Sequence, residues 1–482
     1  MTARSVMVLG TTSGAGKSWL ATALCRWYAR QGLKVVPFKA QNMSNNARVV
    51  PGQGGRAGEI GSAQYFQALA ARVVPDVRMN PVLLKPERDD ASQVVVLGDV
   101  RADLAAVPWR ERSARLWPEA RAALQALRSE ADVIVLEGAG SPAEINLATS
   151  DFVNLRSAHE ADAACLLVTD IDRGGAFAHL YGTHALLAPA DRARLRGFVL
   201  NRFRGDASLL APGPEQLQRL TGVPTLAVLP LWRGHGLPEE DGVHDAGAGF
   251  GAGDGLRIAI VAYPRISNLD EFQPLVHAPG VRLCWARTPA ELAGADWIVL
   301  PGSKHTSSDL AWLRSQGLAA PIAAHAARGG HVLGVCGGLQ MLGDRLVDEH
   351  GIDGSASGLG LLPIITRFEP AKLLRATRAT FAAIGAPWSA LAGIAFDGYE
   401  IRHGRSMGPA EVALRNGDGE PIGWQRGSVL GVYAHGLFES DAVMRALFGA
   451  TVRTLDGVFD GLADFIGQHF ERRDLLALLD RP

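Results

Sequence analysis

The stretch Gly329-Gly330-His331-Val332-Leu333-Gly334-Val335-Cys336-Gly337-Gly338-Leu339-Gln340-Met341-Leu342 leaves its chain few choices of fold. Val332 to Val335 is an apolar run of strand length, and Leu339, Leu342 and Leu346 then recur at helical spacing. Strand must turn to helix at Cys336. A turn that sharp, with glycines on both sides, pushes the thiol out at the start of the helix as a nucleophile elbow. The helix dipole and free N–H groups there favour a thiolate, and the Gly337 amide is placed to help bind an oxyanion. An elbow of this kind needs a histidine from elsewhere in the chain.

The same unit opens the sequence. Ser5 to Leu9 is an apolar strand, Gly10-Thr11-Thr12-Ser13-Gly14-Ala15-Gly16-Lys17-Ser18 is a Gly-rich loop, and a helical stretch runs on to about Arg30. Backbone amides of such a loop cradle phosphates, Lys17 reaches the β and γ oxygens, and Ser18 ligates Mg²⁺. Thr11 stands where the first loop glycine is usual. Thr12 stands where the ATPases that move plasmids and septum-site proteins carry a second lysine, which argues against that branch.

Further apolar runs follow at Lys34 to Phe38, Asp132 to Leu136, Ala163 to Thr169, Gly197 to Leu200 and Thr225 to Leu229, alternating with helical segments. The pattern predicts a mostly parallel sheet with helices on both faces. Ligands bind at the carboxyl edge of such a sheet. That edge receives the polar run Lys39-Ala40-Gln41-Asn42-Met43-Ser44-Asn45-Asn46, Glu137 as a candidate Mg²⁺ ligand beside Gly138 and Gly140, and Asn201 as a candidate adenine reader or an ordinary turn residue.

A chain of 482 residues is too long for one core, and two domains of roughly 200 to 250 residues are the default. Residues 233–255, rich in Gly, Ala, Asp and His without apolar period, read as the linker between domains 1–232 and 256–482. In the second domain, Trp297 to Leu300 ends in Pro301-Gly302-Ser303, whose amides supply a second oxyanion donor at Gly302 or Ser303. Val429 to Val432 leads to His435, the histidine that follows the elbow at a strand end.

Net charge is −1, which gives no reason to expect nucleic acid or an anionic membrane as partner. Four scattered cysteines lack zinc-site or disulfide spacing, and with no export or membrane-spanning segment in view a reducing cytoplasm is expected. Only six of the 48 basic residues are lysines, at positions 17, 34, 39, 85, 304 and 372. Where arginine has taken nearly every basic position, a remaining lysine marks either chance or a site that needs a compact ammonium.

The second domain resembles class I glutamine amidotransferases, and the first is similar to the dethiobiotin synthetase-like ATP domains. Their fusion in this order resembles the cobyrinate and cobyrate amidase family. Lys39 to Ser44, Met79-Asn80-Pro81-Val82-Leu83-Leu84-Lys85-Pro86, Glu137 to Pro142, and Gly398 to Ile401 with His403 and Gly404 look like the branch that acts on adenosylcobyrinic acid a,c-diamide. The resemblance implies two doubly wound α/β domains and ATP- and glutamine-dependent amidation of four side-chain carboxylates (b, d, e and g) in cobalamin biosynthesis. Other acids remain open as substrates, the corrin a and c carboxylates or a cell-wall precursor, and so does a regulator using ATP as a switch. It also implies a Cys336 and His435 dyad, oxyanion donors at Gly302 and Gly337, and ATP on Thr11, Thr12, Gly16, Lys17, Ser18 and Asn201. Substrate falls to Lys39, Gln41 and Asn42, and Mg²⁺ to Ser18, Glu59 and Glu137. The chain departs from the family pattern at Gly14, where Asp is usual, and at Ser62, where Arg is usual. Leu437 stands where ordinary class I glutaminases place a Glu.

Overall fold

The computed structural model describes residues 2–88, 91–238, 250, 254–451 and 453–480. Its first sheet has six parallel strands, in the spatial order Thr225–Pro230, Leu195–Phe203, Ala164–Asp170, Arg4–Gly10, Val133–Glu137, Val35–Phe38. Val133–Glu137 and Ala164–Asp170 are buried along their whole length, as strands covered on both faces must be. Arg4–Gly10 lies between them, so the Gly-rich loop leaves the sheet flanked by the strand ends that carry Glu137 and Asp170.

The second sheet runs parallel through Val281–Ala286, Leu256–Val261, Trp297–Leu300, His331–Val335 and Val429–Val432. Beyond Val429–Val432 it turns antiparallel through Pro421–Arg426, Glu411–Arg415 and the long Ile365–Phe381, which pairs with Ala395–Met407. The α/β architecture stands, but this sheet is mixed rather than mostly parallel. These later strands keep one face wet and alternate in burial, a weaker pattern than the continuous apolar runs of the parallel half.

Two small sheets fill the space between the large ones. Ala47–Pro51 pairs with Ala57–Gly61, and Gln41–Met43, Val82–Arg88, Ala91–Val96 and Asp99–Val100 form the other. They carry the motifs at 39–46 and 79–86. Ala47, Leu83 and Val95 make a small core with Ile401 of the second domain.

The division of the chain is less simple than a single linker. Residues 239–249 and 251–253 of the expected linker lie outside the described residues, while Arg233 to Pro238 form part of a cavity wall. The helix Leu455–His469, next to last in the chain, packs on the loop helix Lys17–Arg30 of the first domain rather than on its sequence neighbours. That packing explains why Lys17–Arg30 is buried on nearly every side, including Arg26, whose guanidinium is paired with Asp456 and, at 2.8 Å, Asp460. Tyr28 also donates to the Leu475 carbonyl at 2.7 Å. Among the described residues no helix is long and apolar enough to cross a membrane.

Candidate functional site

The phosphate loop closes a cavity of about 900 Å³. Gly16, at φ 97°, caps the loop helix, and a Cβ there would strike the Asn201 amide at 2.1 Å. Asn201 is thus drawn over the loop, donating to the Ala15 carbonyl at 3.0 Å. Lys17 folds back across it and donates to the carbonyls of Thr12 (2.9 Å) and Gly140 (3.0 Å). Thr11 turns its hydroxyl away to Thr169 at 2.9 Å. Ser18 Oγ donates to Glu137 Oε1 at 2.7 Å, and Lys39 Nζ reaches the same oxygen at 2.7 Å. Gln67 and Gln64 donate to its other oxygen. Burial works against the Glu137 charge, yet Lys39 and these hydrogen bonds hold its pKa below the ordinary carboxylate value.

Gln41 and Asn42 line the same cavity from the strand Gln41–Met43, and the buried Gln41 Oε1 has no hydrogen-bond partner among the described residues. Glu59 does not join Ser18 and Glu137. It lies on Ala57–Gly61, facing the second domain, where its carboxylate is taken by Lys85 at 2.9 Å and by Lys372. Burial opposes that charge as well, but the two lysines pull Glu59 down to about 2. A hydroxyl and one carboxylate suit Mg²⁺, which takes few protein ligands and completes its shell from phosphates and water. No cage of three His, Cys, Asp or Glu exists among the described residues.

Sequence reasoning missed the aromatic wall of this cavity. Trp232 stacks on Phe465 with ring centroids 4.9 Å apart, and Trp19 meets Phe465 edge-on. Phe465 belongs to the helix Leu455–His469, and nothing local in the sequence ties that helix to the loop.

At the elbow, Cys336 caps the helix Gly337–Leu342 with φ 49° and ψ −103°, a strained conformation for a non-glycine residue. Glycine is required next to it. A Cβ on Gly338 would sit 1.9 Å from the Leu300 carbonyl, and one on Gly337 would sit 2.7 Å from the Ser303 nitrogen. The same close packing brings Gly302 and Ser303 beside the thiol. A Cβ on Gly302 would meet His435 Cε1 at 3.1 Å.

His435 is 1% exposed and is held by Glu271, fully buried, at 2.9 Å from Nδ1. The second Glu271 oxygen accepts from the Gly436 N–H at 3.1 Å. With Nδ1 engaged, Nε2 is left for Cys336. Burial pushes His435 down, but the Glu271 carboxylate and the hydrogen-bonded Cys336 outweigh it and carry its pKa up to about 10. Cys25 and Cys165 differ: burial and Glu137 push the Cys25 thiol far up, and burial pushes Cys165 up to about 12.

Glu271 is the orienting acid that sequence reading left open, and it comes from the turn Leu269–Phe272, far upstream of His435. The only sequence signal was a pair of acids, Asp270 and Glu271, between Leu269 and Phe272 just after a strand. Leu437, where an acid is usual, is buried. Tyr399 stacks on the His435 imidazole, centroids 5.2 Å apart, and exchanges backbone hydrogen bonds with it. Cys336 and His435 open on a cavity of about 80 Å³ whose walls come from both domains.

The two halves of the chain match two family models. Residues 6–234 match the CobQ/CobB/MinD/ParA nucleotide binding domain. Residues 257–443 match the CobB/CobQ-like glutamine amidotransferase domain. Over 99% of its length the chain is 73% identical to a cobyric acid synthase of Methylibium petroleiphilum, covering 97% of that protein. It is 69% identical to one from Leptothrix cholodnii (99% and 97% covered) and 68% identical to one from Variovorax paradoxus (99% and 100% covered). The chain belongs to the cobyric acid synthase family. The elbow, His435 and Glu271 all lie in the half that matches the glutamine amidotransferase model, and the phosphate loop lies in the half that matches the nucleotide binding model.

Arg48 joins the two sites. It is fully buried, pairs with Asp270 and with Glu439 at 2.6 Å, and lies over the rings of Phe66 and Tyr399. Asp270 neighbours Glu271 in sequence, and Phe66 sits in the helix that carries Gln64 and Gln67 to Glu137. One guanidinium from the first domain therefore packs against groups that border both reaction centres.

Proposed function

We propose that this enzyme uses ATP and glutamine to convert four side-chain carboxylates of adenosylcobyrinic acid a,c-diamide, b, d, e and g, to amides. The observation that carries the reading is the pairing, across one packed interface, of a phosphate-loop cavity with a Cys336–His435–Glu271 site. The Cys336 thiolate attacks the amide carbon of glutamine while N–H groups at Gly337 and Gly302 or Ser303 receive the oxyanion. His435, held by Glu271, gives its Nε2 proton to the leaving ammonia, then takes one from the water that cleaves the thioester.

In the other cavity, Lys17 neutralises the γ-phosphate of ATP as a substrate carboxylate oxygen attacks it. The bond from that phosphorus to the β–γ bridging oxygen breaks and ADP leaves, so the carboxylate, a poor acyl donor, becomes an acyl phosphate. Ammonia displaces the phosphate, so that each cycle exchanges a hydroxyl for an amine. Ser18 and Glu137 are the residues that would hold Mg²⁺, whose chemistry is to neutralise charge on the phosphates. Thr12 and Gly16 line the phosphate path with Asn201 above them, and Lys39, Gln41 and Asn42 meet the corrinoid. We assign the catalytic domains to residues 1–232, resembling dethiobiotin synthetases, and 256–482, with the helices after 454 serving the first.

Incubating the enzyme with the corrinoid, ATP and limiting glutamine tests this by mass spectrometry. A ladder of four products is expected, each lighter by one hydroxyl-for-amine exchange. Stopping after one exchange, or turnover only on another acid, would overturn it.

A further inference from the structure

Five of the six lysines face the two cavities. Lys17 and Lys39 line the large one, and Lys85, Lys304 and Lys372 line the small one that holds Cys336 and His435. In a chain where arginine supplies the other 42 basic residues, three ammonium groups around a cavity of about 80 Å³ call for a reason.

The charges around that cavity do not cancel wall by wall. Lys304 is matched by Glu87 at 2.7 Å, and Arg402 by Glu400 at 2.7 Å. Glu400 is shared with Arg375, which also has Glu420 at 2.9 Å. Among the described residues Lys85 and Lys372 share one carboxylate, Glu59, so that wall carries one positive charge in excess. Lys372 also donates to Gln93 Oε1 at 3.2 Å. Of the remaining charged wall groups, His435 has Glu271 at 2.9 Å, and Asp353 accepts from the N–H groups of Thr306 and Ser307 and lies 3.6 Å from His305. A buried surplus charge is costly unless an anion arrives to meet it. Burial pushes Lys372 down to about 7 against the pull of Glu59, and a bound carboxylate would restore its charge.

The ligand of this cavity must present a primary amide to Cys336. An amide alone cannot distinguish glutamine from other amides, so recognition has to come from the charged end. We propose that the Lys372–Glu59–Lys85 cluster seats the α-carboxylate of glutamine, so that the glutamine site is built from both domains. Lys372 comes from the second domain, on the strand Ile365–Phe381. Glu59, Lys85 and Gln93 come from the first. A lysine suits the task better than an arginine, because a compact ammonium shares one carboxylate with a neighbour and still has a hydrogen to offer the ligand. The proposal rests on reading Cys336 as the nucleophile of a glutaminase. Cys336→Ser separates the two, since glutamine hydrolysis by that variant would defeat the reading itself.

The experiment compares glutamine with 4-aminobutanamide, which is glutamine without its α-carboxylate, as substrates for hydrolysis by the full-length enzyme. The ratio of the two kcat/KM values is internal to each preparation, so a partly unfolded variant still reports it. Lys372→Met is expected to lower that ratio about 10- to 100-fold, the worth of a lost charge-assisted hydrogen bond, mostly through KM for glutamine. Lys372→Arg should restore part of it. Glu59→Gln, which removes the competing anion, is expected to hold or raise the ratio. Equal losses on both amides in Lys372→Met, or a Glu59→Gln ratio that falls as far as that of Lys372→Met, would make the cluster a domain contact only and overturn the proposal.

Discussion

The two cavities differ in nearly every physical respect. One measures about 900 Å³ and, among the described residues, leaves Gln41 Oε1 unpartnered. The other measures about 80 Å³, and its reacting groups are buried and already hydrogen-bonded to one another: Cys336 is 6% exposed, His435 1% and Glu271 0%. On the proposed function, the difference follows from the work each would do. Thioester chemistry on one small amide gains from rigid, dry preorganisation, and water would protonate the ammonia. A site that must present several arms of a bulky acid to the same phosphate gains from room.

The sharpest way to break this comparison is to silence one side at a time. Lys17→Ala removes the charge that meets the transferred phosphate, an effect of about 10² to 10³ or more in rate. Amidation should fail with glutamine and with ammonium salts alike, and rescue by ammonia would contradict the phosphate-loop assignment. Cys336→Ser should abolish glutamine-dependent amidation while ammonium salts still give product. Both assays read amide formation by mass, and together they show whether the cavities act as separable reaction centres.

Next in size is Glu271→Gln, which keeps the shape of the small site and removes its negative charge. Glutamine hydrolysis should fall by about 10² to 10⁴, the range of a general acid–base contribution, because the imidazolium loses its partner. The pH profile carries the sign. His435 is raised from 6.5 to about 10, so the stability its charge contributes is fully present below pH 6.5 and lost as pH rises through about 10. In the variant that loss, and the alkaline fall of kcat/KM, should begin at lower pH. An unchanged alkaline limb would mean that Glu271 does not set the His435 charge.

Arg48→Met tests the bridge between the cavities. Removing one partner of a buried ion pair costs about 3–5 kcal/mol, here by stranding Asp270. Thermal unfolding should register that loss. Glutamine hydrolysis should drop about tenfold, equivalent to roughly 1.4 kcal/mol of misplacement at the Glu271 turn. Full activity at reduced stability would confine Arg48 to structure.

What the sequence made legible follows the same division between local and distant causes. The phosphate loop and the elbow are written in consecutive residues, because backbone sterics at Gly16, Gly337 and Gly338 are local. The parallel strands of the first sheet were visible as apolar runs, with ends within a few residues of those observed, whereas the edge strand Val281–Ala286 of the second was missed. Glu271 was not legible, since its role depends on a hydrogen bond to a residue 164 positions away. Phe465 and Arg48 were hidden for the same reason. Glu59 was misplaced because a carboxylate near a ligand-edge motif looks like a metal ligand until its strand is seen to face Lys372.

The smallest expected effect concerns the large cavity, at Gly14, where the family resemblance leads one to expect Asp. Gly14 has φ 71°, and a Cβ there would find only Arg173 Nη2, at 3.8 Å. Gly14→Asp therefore meets no steric wall. Its cost is the left-handed backbone, about 1–2 kcal/mol for an ordinary L-residue and less for Asp, which visits that region readily. The new carboxylate lies within reach of Arg173, an exposed group whose pairing is worth about 0–1 kcal/mol. These terms nearly offset, so the melting temperature should move by no more than a few degrees, and KM for ATP by less than about threefold. A fall in the Mg²⁺ concentration needed for half-maximal activity would show the carboxylate entering the metal shell beside Ser18 and Glu137, and a rise in KM for ATP of a hundredfold would show that the open glycine is itself required for nucleotide entry. In a cavity as roomy as this one, one added charge should be absorbed. The same change made beside Glu271 would not be.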